Sequence, residues 1–137
     1  MAAISITPAN VGVAEANLTS TAFQAGEAIT QGQPFYYDSV TQKAMVATSD
    51  DTEAKAKVVG IALTSASIDG HFMAMPAPGK LIKPGATLSK GVSYYLGSAG
   101  AIVPYGDLSA SDWVTFLFRA VDTSTAKLNI DATGIQL

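Results

Sequence analysis

The sequence predicts an all-β fold, a compact β-barrel or β-sandwich built from two similar β units and preceded by an extended N-terminal arm. Three observations predict it. Short runs rich in Val, Ile, Tyr and Phe are broken about every ten residues by Gly, Pro, Asp or Ser, as expected of strands joined by tight turns. The block Gly26-Glu27-Ala28-Ile29-Thr30-Gln31-Gly32-Gln33-Pro34-Phe35-Tyr36-Tyr37 recurs 59 positions on as Gly85-Ala86-Thr87-Leu88-Ser89-Lys90-Gly91-Val92-Ser93-Tyr94-Tyr95-Leu96. Only the stretch from Asp50 to Lys57 reads as helical, with acids early and lysines late, the order a helix dipole prefers.

Residues 1–24 stand outside the repeat, with Ala, Thr, Ser and Asn around the isolated aliphatics Ile4, Ile6, Val11, Val13 and Leu18. They are expected to form an arm that crosses to a neighbouring subunit, closes the sheet of its own chain, or frays. A single β domain, 25–137, follows, with internal repeats over about 25–76 and 84–131. In each repeated block, two turn-forming glycines flank an aliphatic expected to be buried, Ile29 or Leu88. The aromatic pairs Phe35-Tyr36 and Tyr94-Tyr95 send neighbours to opposite sheet faces, so one ring anchors the core and the other is presented.

Downstream, Ala44-Met45-Val46 answers to Ala101-Ile102-Val103 across a turn two residues shorter in the second copy. Next, Val59, Ile61 and Leu63 fall on Val114, Phe116 and Phe118. Alternation assigns these bulky residues to the core and leaves Val58, Gly60 and Ala62 on the opposite face. It likewise turns Trp113, Thr115, Leu117 and Arg119 outward, giving an outer face that is still partly apolar. Asp69-Gly70 marks a turn, and last strands are expected over Phe72–Met75 and Leu128–Ile130. What the repeat does not explain supplies the candidate contact residues: Ile4, Ile6, Val11, Val13 and Leu18 in the arm, with Trp113 and Leu117 on the outer face.

At 137 residues, the chain is long enough for one domain with a real core. It has no cysteine, which excludes disulfides and thiolate metal sites. Charged residues make up 14% of it, against roughly 25% in ordinary globular proteins. The net charge is −3 and the basic residues are scattered, so no nucleic-acid footprint is present. The first residues lack the basic start and apolar core of a signal peptide, and no run approaches the ~18 apolar residues of a membrane span. The protein is therefore expected to be soluble when made, with no membrane partner.

No catalytic, cofactor or metal site is expected. His71 is the only histidine, and with no cysteine a zinc site there would have to be built from carboxylates. Asp50, Asp51 and Glu53 lack the alternate spacing and glycine of a calcium loop. No serine sits in a Gly-x-Ser-x-Gly elbow. Ser89-Lys90-Gly91 reverses the order of a phosphate-binding loop. Two rival readings remain, a sugar-binding tail or fibre module using Tyr36, Tyr95 or Trp113, and a small hydrolase built around His71, Asp69 and Asp112.

Across Gly26 to Ile130, the order Gly-x-x-Ile-x-x-Gly-x-Pro-Phe-Tyr-Tyr-Asp, then Val58-Val59-Gly60-Ile61-Ala62, then Lys83-Pro84-Gly85 through Tyr94-Tyr95-Leu96, resembles the small decoration (cement) proteins of tailed bacteriophage heads. The resemblance covers about three-quarters of the chain and lies in pattern and composition. It implies a β-rich, non-enzymatic virion protein, often trimeric, made in the host cytoplasm. Such a protein binds the outside of the capsid and braces joints between major capsid subunits.

Overall fold

The computed structural model describes residues 4–13, 21–75 and 80–137, so Leu18 lies outside the described residues. The fold is all-β; the described residues form eleven strands, one short α-helix and three single-turn 3-10 helices. In chain order the strands are β1 (Val11–Val13), β2 (Ala22–Gln24), β3 (Pro34–Asp38), β4 (Lys43–Val46), β5 (Gly60–Ile61), β6 (His71–Met73), β7 (Leu81–Pro84), β8 (Ser93–Leu96), β9 (Ile102–Pro104), β10 (Trp113–Ala120) and β11 (Ala126–Gln136). Helix α1 (Glu53–Ala56) fills the acidic segment; the Thr52 hydroxyl accepts from Lys55 N, and Asp51 pairs with Lys55 one turn on.

Strands β2 to β6 form a closed circuit. β3 lies between β4 and β5, and β2 pairs with β6. Ala62, just after β5, bridges to Ala74, just after β6, and Ala25, just after β2, bridges to Ala44 of β4. Inside the ring, Phe35, Phe72 and Phe23 pack around Ile29, the Phe35 and Phe72 rings meeting edge to face at 5.0 Å.

Strands β7 to β11 repeat that order, β9-β8-β10-β11-β7 against β4-β3-β5-β6-β2. The repeated glycine block explains why. Ile29 N donates to Ala66 O (2.9 Å), as Leu88 N does to Thr123 O (2.8 Å), each tying the block to the connection between the last two strands of its unit. Gly32 N donates to Ala62 O and Gly91 N to Ala120 O, both at 2.8 Å. Both glycines hold left-handed backbone, which other residues adopt only with strain. Each unit also includes a strand ahead of its block, β2 or β7, so the arm ends before Ala22 rather than at residue 24.

The units differ at the seam. In the first circuit, Gly26 N donates to Ala44 O (2.8 Å), closing the ring on itself. In the second, β7 and β9 do not pair, and the N-terminal segment lies between them. Ile4 N donates to Ile102 O of β9 (3.0 Å), and Thr7 N to Gly85 O (2.8 Å). β1 then runs antiparallel to β7, with Val11 opposite Pro84 and Val13 opposite Ile82. The segment thus closes the sheet of its own chain.

The larger core joins the units. Tyr94, Leu96, Ile102, Leu117, Phe118 and Leu128 of the second pack with Val58, Ile61 and Met75 of the first. β5 is sandwiched as a result, with Ile61 facing this core and Ala62 facing the smaller one.

Several sequence-level expectations are corrected by these pairings. Tyr36 pairs with Met45 and Tyr95 with Val103, so the second turn is shorter by one residue and not two. Gly60 lies opposite Phe35 as Phe118 lies opposite Tyr94, which makes Gly60, not Leu63, the counterpart of Phe118. Val59 is 49% exposed while Val58 is buried. The cause is a tight turn after α1, in which Val58 N bonds to Ala56 O and carries Val58 into the core. The face expected to be small and outer, Gly60 with Ala62, is buried too.

Candidate functional site

β10 departs furthest from the alternation expected of it. Between Val114 and Thr115 its partner β11 carries two extra residues, and between Phe116 and Phe118 one extra residue falls on β11 against β10 and one on β10 against β8. An extra residue in a strand turns the side chains that follow it to the opposite face. Along this irregular strand Val114, Thr115, Leu117, Phe118 and Ala120 are buried, leaving Trp113 and Phe116 half-buried and Arg119 exposed.

Two of the expected outward residues therefore point in. Leu117 is 0% exposed within the larger core and is not available to a partner. Thr115 is equally enclosed, its Oγ1 donating to Ala56 O at 2.6 Å, which anchors α1 to β10. Trp113 is half-buried against the larger core, and its Nε1 donates to Asp51 O at 3.2 Å. In the arm, Ile4, Ile6 and Val11 pack partly against the same core, so they serve their own chain. Val13 is paired with Ile82 through its backbone.

The apolar groups that do face outward are others. Ile135 (59% exposed) and Leu137 lie on and just beyond the C-terminal half of β11. That half has an open edge: β7 pairs only with Ala126 and Lys127, and among the described residues no strand pairs with the outer side of Asn129–Gln136. Asp131 is its one charged residue. The final turn is held inward, where Leu137 N donates to Asp112 O and Leu137 O accepts from Ser111 N. The eleven-residue length of β11 exceeds the short last strand read from Leu128–Ile130, because its later residues are polar or small and carry little β signal.

A second outward feature lies on the opposite side of β10. Tyr95 is opposite Val103 on one side and Phe116 on the other, so the three share the outer face while Tyr94 fills the core. The Tyr95 ring meets Tyr105 at 5.3 Å and Phe116 at 5.6 Å, both edge to face. Tyr105 is 52% exposed. Its setting, Pro104-Tyr105-Gly106-Asp107, reads as a turn, and nothing in the sequence ties it to Tyr95. Beside the rings runs a groove of about 450 Å³ lined by Val103, Ser98, Ser109 and the carboxylates of Asp50, Asp107 and Asp112. Asp50 accepts from the hydroxyls of Thr48 and Ser98, and those bonds hold its carboxyl below the ordinary value of 3.8. The Asp112 carboxylate accepts from Ser109 N at 2.8 Å.

His71 is exposed at the start of β6, Asp69 pairs with Lys43 at 2.6 Å, and Asp112 is tied to Ser109. The positive φ of the turn falls on Asp69 itself rather than on Gly70. Among the described residues, no group of three His, Asp or Glu side chains is placed to hold a metal ion. No helix among them is long and apolar enough to cross a membrane. No family model, curated protein or solved structure matches the chain.

Proposed function

We propose that the protein is a structural component of a tailed-phage virion. In this reading it sits as a homotrimer on the outer surface of the capsid and braces contacts between major capsid subunits. The resemblance of its doubled glycine–aromatic block to phage decoration proteins motivates the proposal. The observation that carries it is the open edge of the C-terminal half of β11, which among the described residues has no partner strand, carries Asp131 as its one charge and exposes Ile135. Unblocked edges of this kind pair with other chains, and monomeric proteins usually blunt them with lysine, proline or a covering segment. On a closed lattice the many identical, individually weak contacts reinforce one another through effective concentration.

The test mixes purified capsids that lack the protein with the full-length chain, then sediments and heats them. Co-sedimentation and a raised disruption temperature are expected, with a trimer mass for the free protein by light scattering. Failure to co-sediment, with no change in disruption temperature, refutes the capsid reading, and a monomer mass refutes the trimer.

A further inference from the structure

We infer that the outer groove beside Tyr95 and Tyr105 is a carbohydrate site that takes neutral or amino-bearing pyranose sugars. The inference is independent of the capsid reading and rests on three placements that converge. First, the rings form a platform. Tyr95 is wedged between Tyr105 and Phe116 with both contacts edge to face, which fixes its orientation without further packing, and Tyr105 is half open to solvent. Such aromatic faces are apolar surfaces with polar tips, suited to the C–H face of a pyranose.

Second, platform and groove share a wall. Val103, directly opposite Tyr95, lines the groove, as does Asp107, two residues after Tyr105 in the same turn. The rings themselves flank the groove without lining it, so a pyranose stacked on Tyr105 would reach it past Asp107. At about 450 Å³ the groove has the size of a small-ligand cleft.

Third, the groove offers fixed acceptors. The Asp50 carboxylate is oriented by the Thr48 and Ser98 hydroxyls, and that of Asp112 by the Ser109 amide. Sugar hydroxyls donating to ionised carboxylates make strong, short hydrogen bonds. The three carboxylates also set the class of sugar. They repel sialic and uronic acids and the phosphates of nucleic acid, and they attract an amino group. Of the aromatics weighed from sequence, Tyr36 and Trp113 are half-buried against the larger core, which leaves Tyr95 in the platform.

The experiment applies full-length protein to a glycan array carrying neutral hexose, hexosamine and acidic glycans, with binding constants for the responders taken by titration. Retention of neutral or amino glycans is expected, with acidic glycans excluded. Tyr105→Ala should weaken binding at least tenfold and Asp50→Asn at least threefold, whereas Tyr105→Phe keeps it. Tyr105 is exposed, so its variants should keep the wild-type urea midpoint. No binding at millimolar glycan, a preference for acidic glycans, or binding indifferent to Tyr105→Ala each overturns the inference.

Discussion

Replacing Gly85 by Ala tests how the second unit is closed. Gly85 and Gly91 both hold left-handed backbone, with φ of +85° and +82°, so a methyl at either adds roughly 1–2 kcal/mol of strain. The two sites differ in what the methyl meets. At Gly91 nothing lies within 4 Å, whereas at Gly85 it would stand 2.7 Å from Val11 Cγ2 and 2.9 Å from Thr7 O. Both clashing atoms belong to the N-terminal segment, so releasing that segment relieves the clash, and what the docked segment contributes is an upper bound on the extra loss. Its three half-buried aliphatics, Ile4, Ile6 and Val11, each supply about half of the ~1.5–3 kcal/mol of a fully buried side chain. Overpacking of this kind costs ~1–3 kcal/mol, which lies within that bound. Gly85→Ala should therefore be about 1–3 kcal/mol less stable than Gly91→Ala. With a slope of ~2 kcal/mol/M, that is a urea midpoint lower by about 0.5–1.5 M. Hydrogen exchange locates the loss: the amides of Ile4, Thr7 and Val11–Val13 should lose protection in Gly85→Ala and keep it in Gly91→Ala. Equal midpoints with unchanged protection would refute the closing role assigned to the segment.

Four further outcomes are expected. Leu117→Ala should destabilise the fold by about 2–5 kcal/mol, as for a fully buried leucine; a thermal or urea shift below 1 kcal/mol would mean that the bulge does not turn Leu117 inward. Thr115→Val should remove one of the two donors to Ala56 O, which keeps its bond from Val58 N, a loss of about 0.5–1.5 kcal/mol, read by urea unfolding and by faster exchange across α1. Asp50 has a folded value below its ordinary 3.8, so its contribution is present above that value and is lost as pH falls through the lower folded one. Asp50→Asn should then be less stable than wild type at pH 7, with the gap in urea midpoint closing as pH falls below about 4. Ile135→Lys should leave the unfolding free energy within ~0.5 kcal/mol of wild type, as for exposed sites, and reduce the co-sedimentation with capsids that the proposed function expects; unchanged co-sedimentation would refute the role proposed for the β11 edge.

The all-β class, the short helix and the burial of Ile29, Leu88, Phe35 and Tyr94 were legible because each rests on local chemistry. Glycine spacing, β-branched and aromatic runs, and acids ahead of lysines act within a few residues. The faces of β10 were not legible, because irregular pairing with β11 and β8 changes which side chains point inward and leaves no residue signature in Trp113–Ala120. Val59 was misassigned for a related reason: a turn after α1 delays the start of β5, and a one-residue delay reverses a period of two. The groove and the ring cluster were hidden because Asp50 comes from the first unit and Ser98, Tyr105 and Asp112 from separate turns of the second, which meet only through the strand pairing between them. The individual residues read as solvated turns.

Comparing the two units explains why the arm has to be where it is. Both have the same five-strand order, and in both the glycine block fixes the connection before the central strand. The first ring encloses three phenylalanines and closes through Ala25 and Gly26 onto β4. The second shares its core with Val58, Ile61 and Met75 of the first, and its β7 and β9 stand apart without pairing. An unfilled gap would leave strand-edge amides and carbonyls without partners beside an apolar core, a costly arrangement. The N-terminal segment fills the gap with backbone bonds to both sides, and glycine at position 85 is what lets it approach. Residues 4–13 are thereby committed to the sheet of their own chain. The two surfaces proposed for partners, the edge of β11 and the aromatic groove on the other side of β10, lie outside this closure.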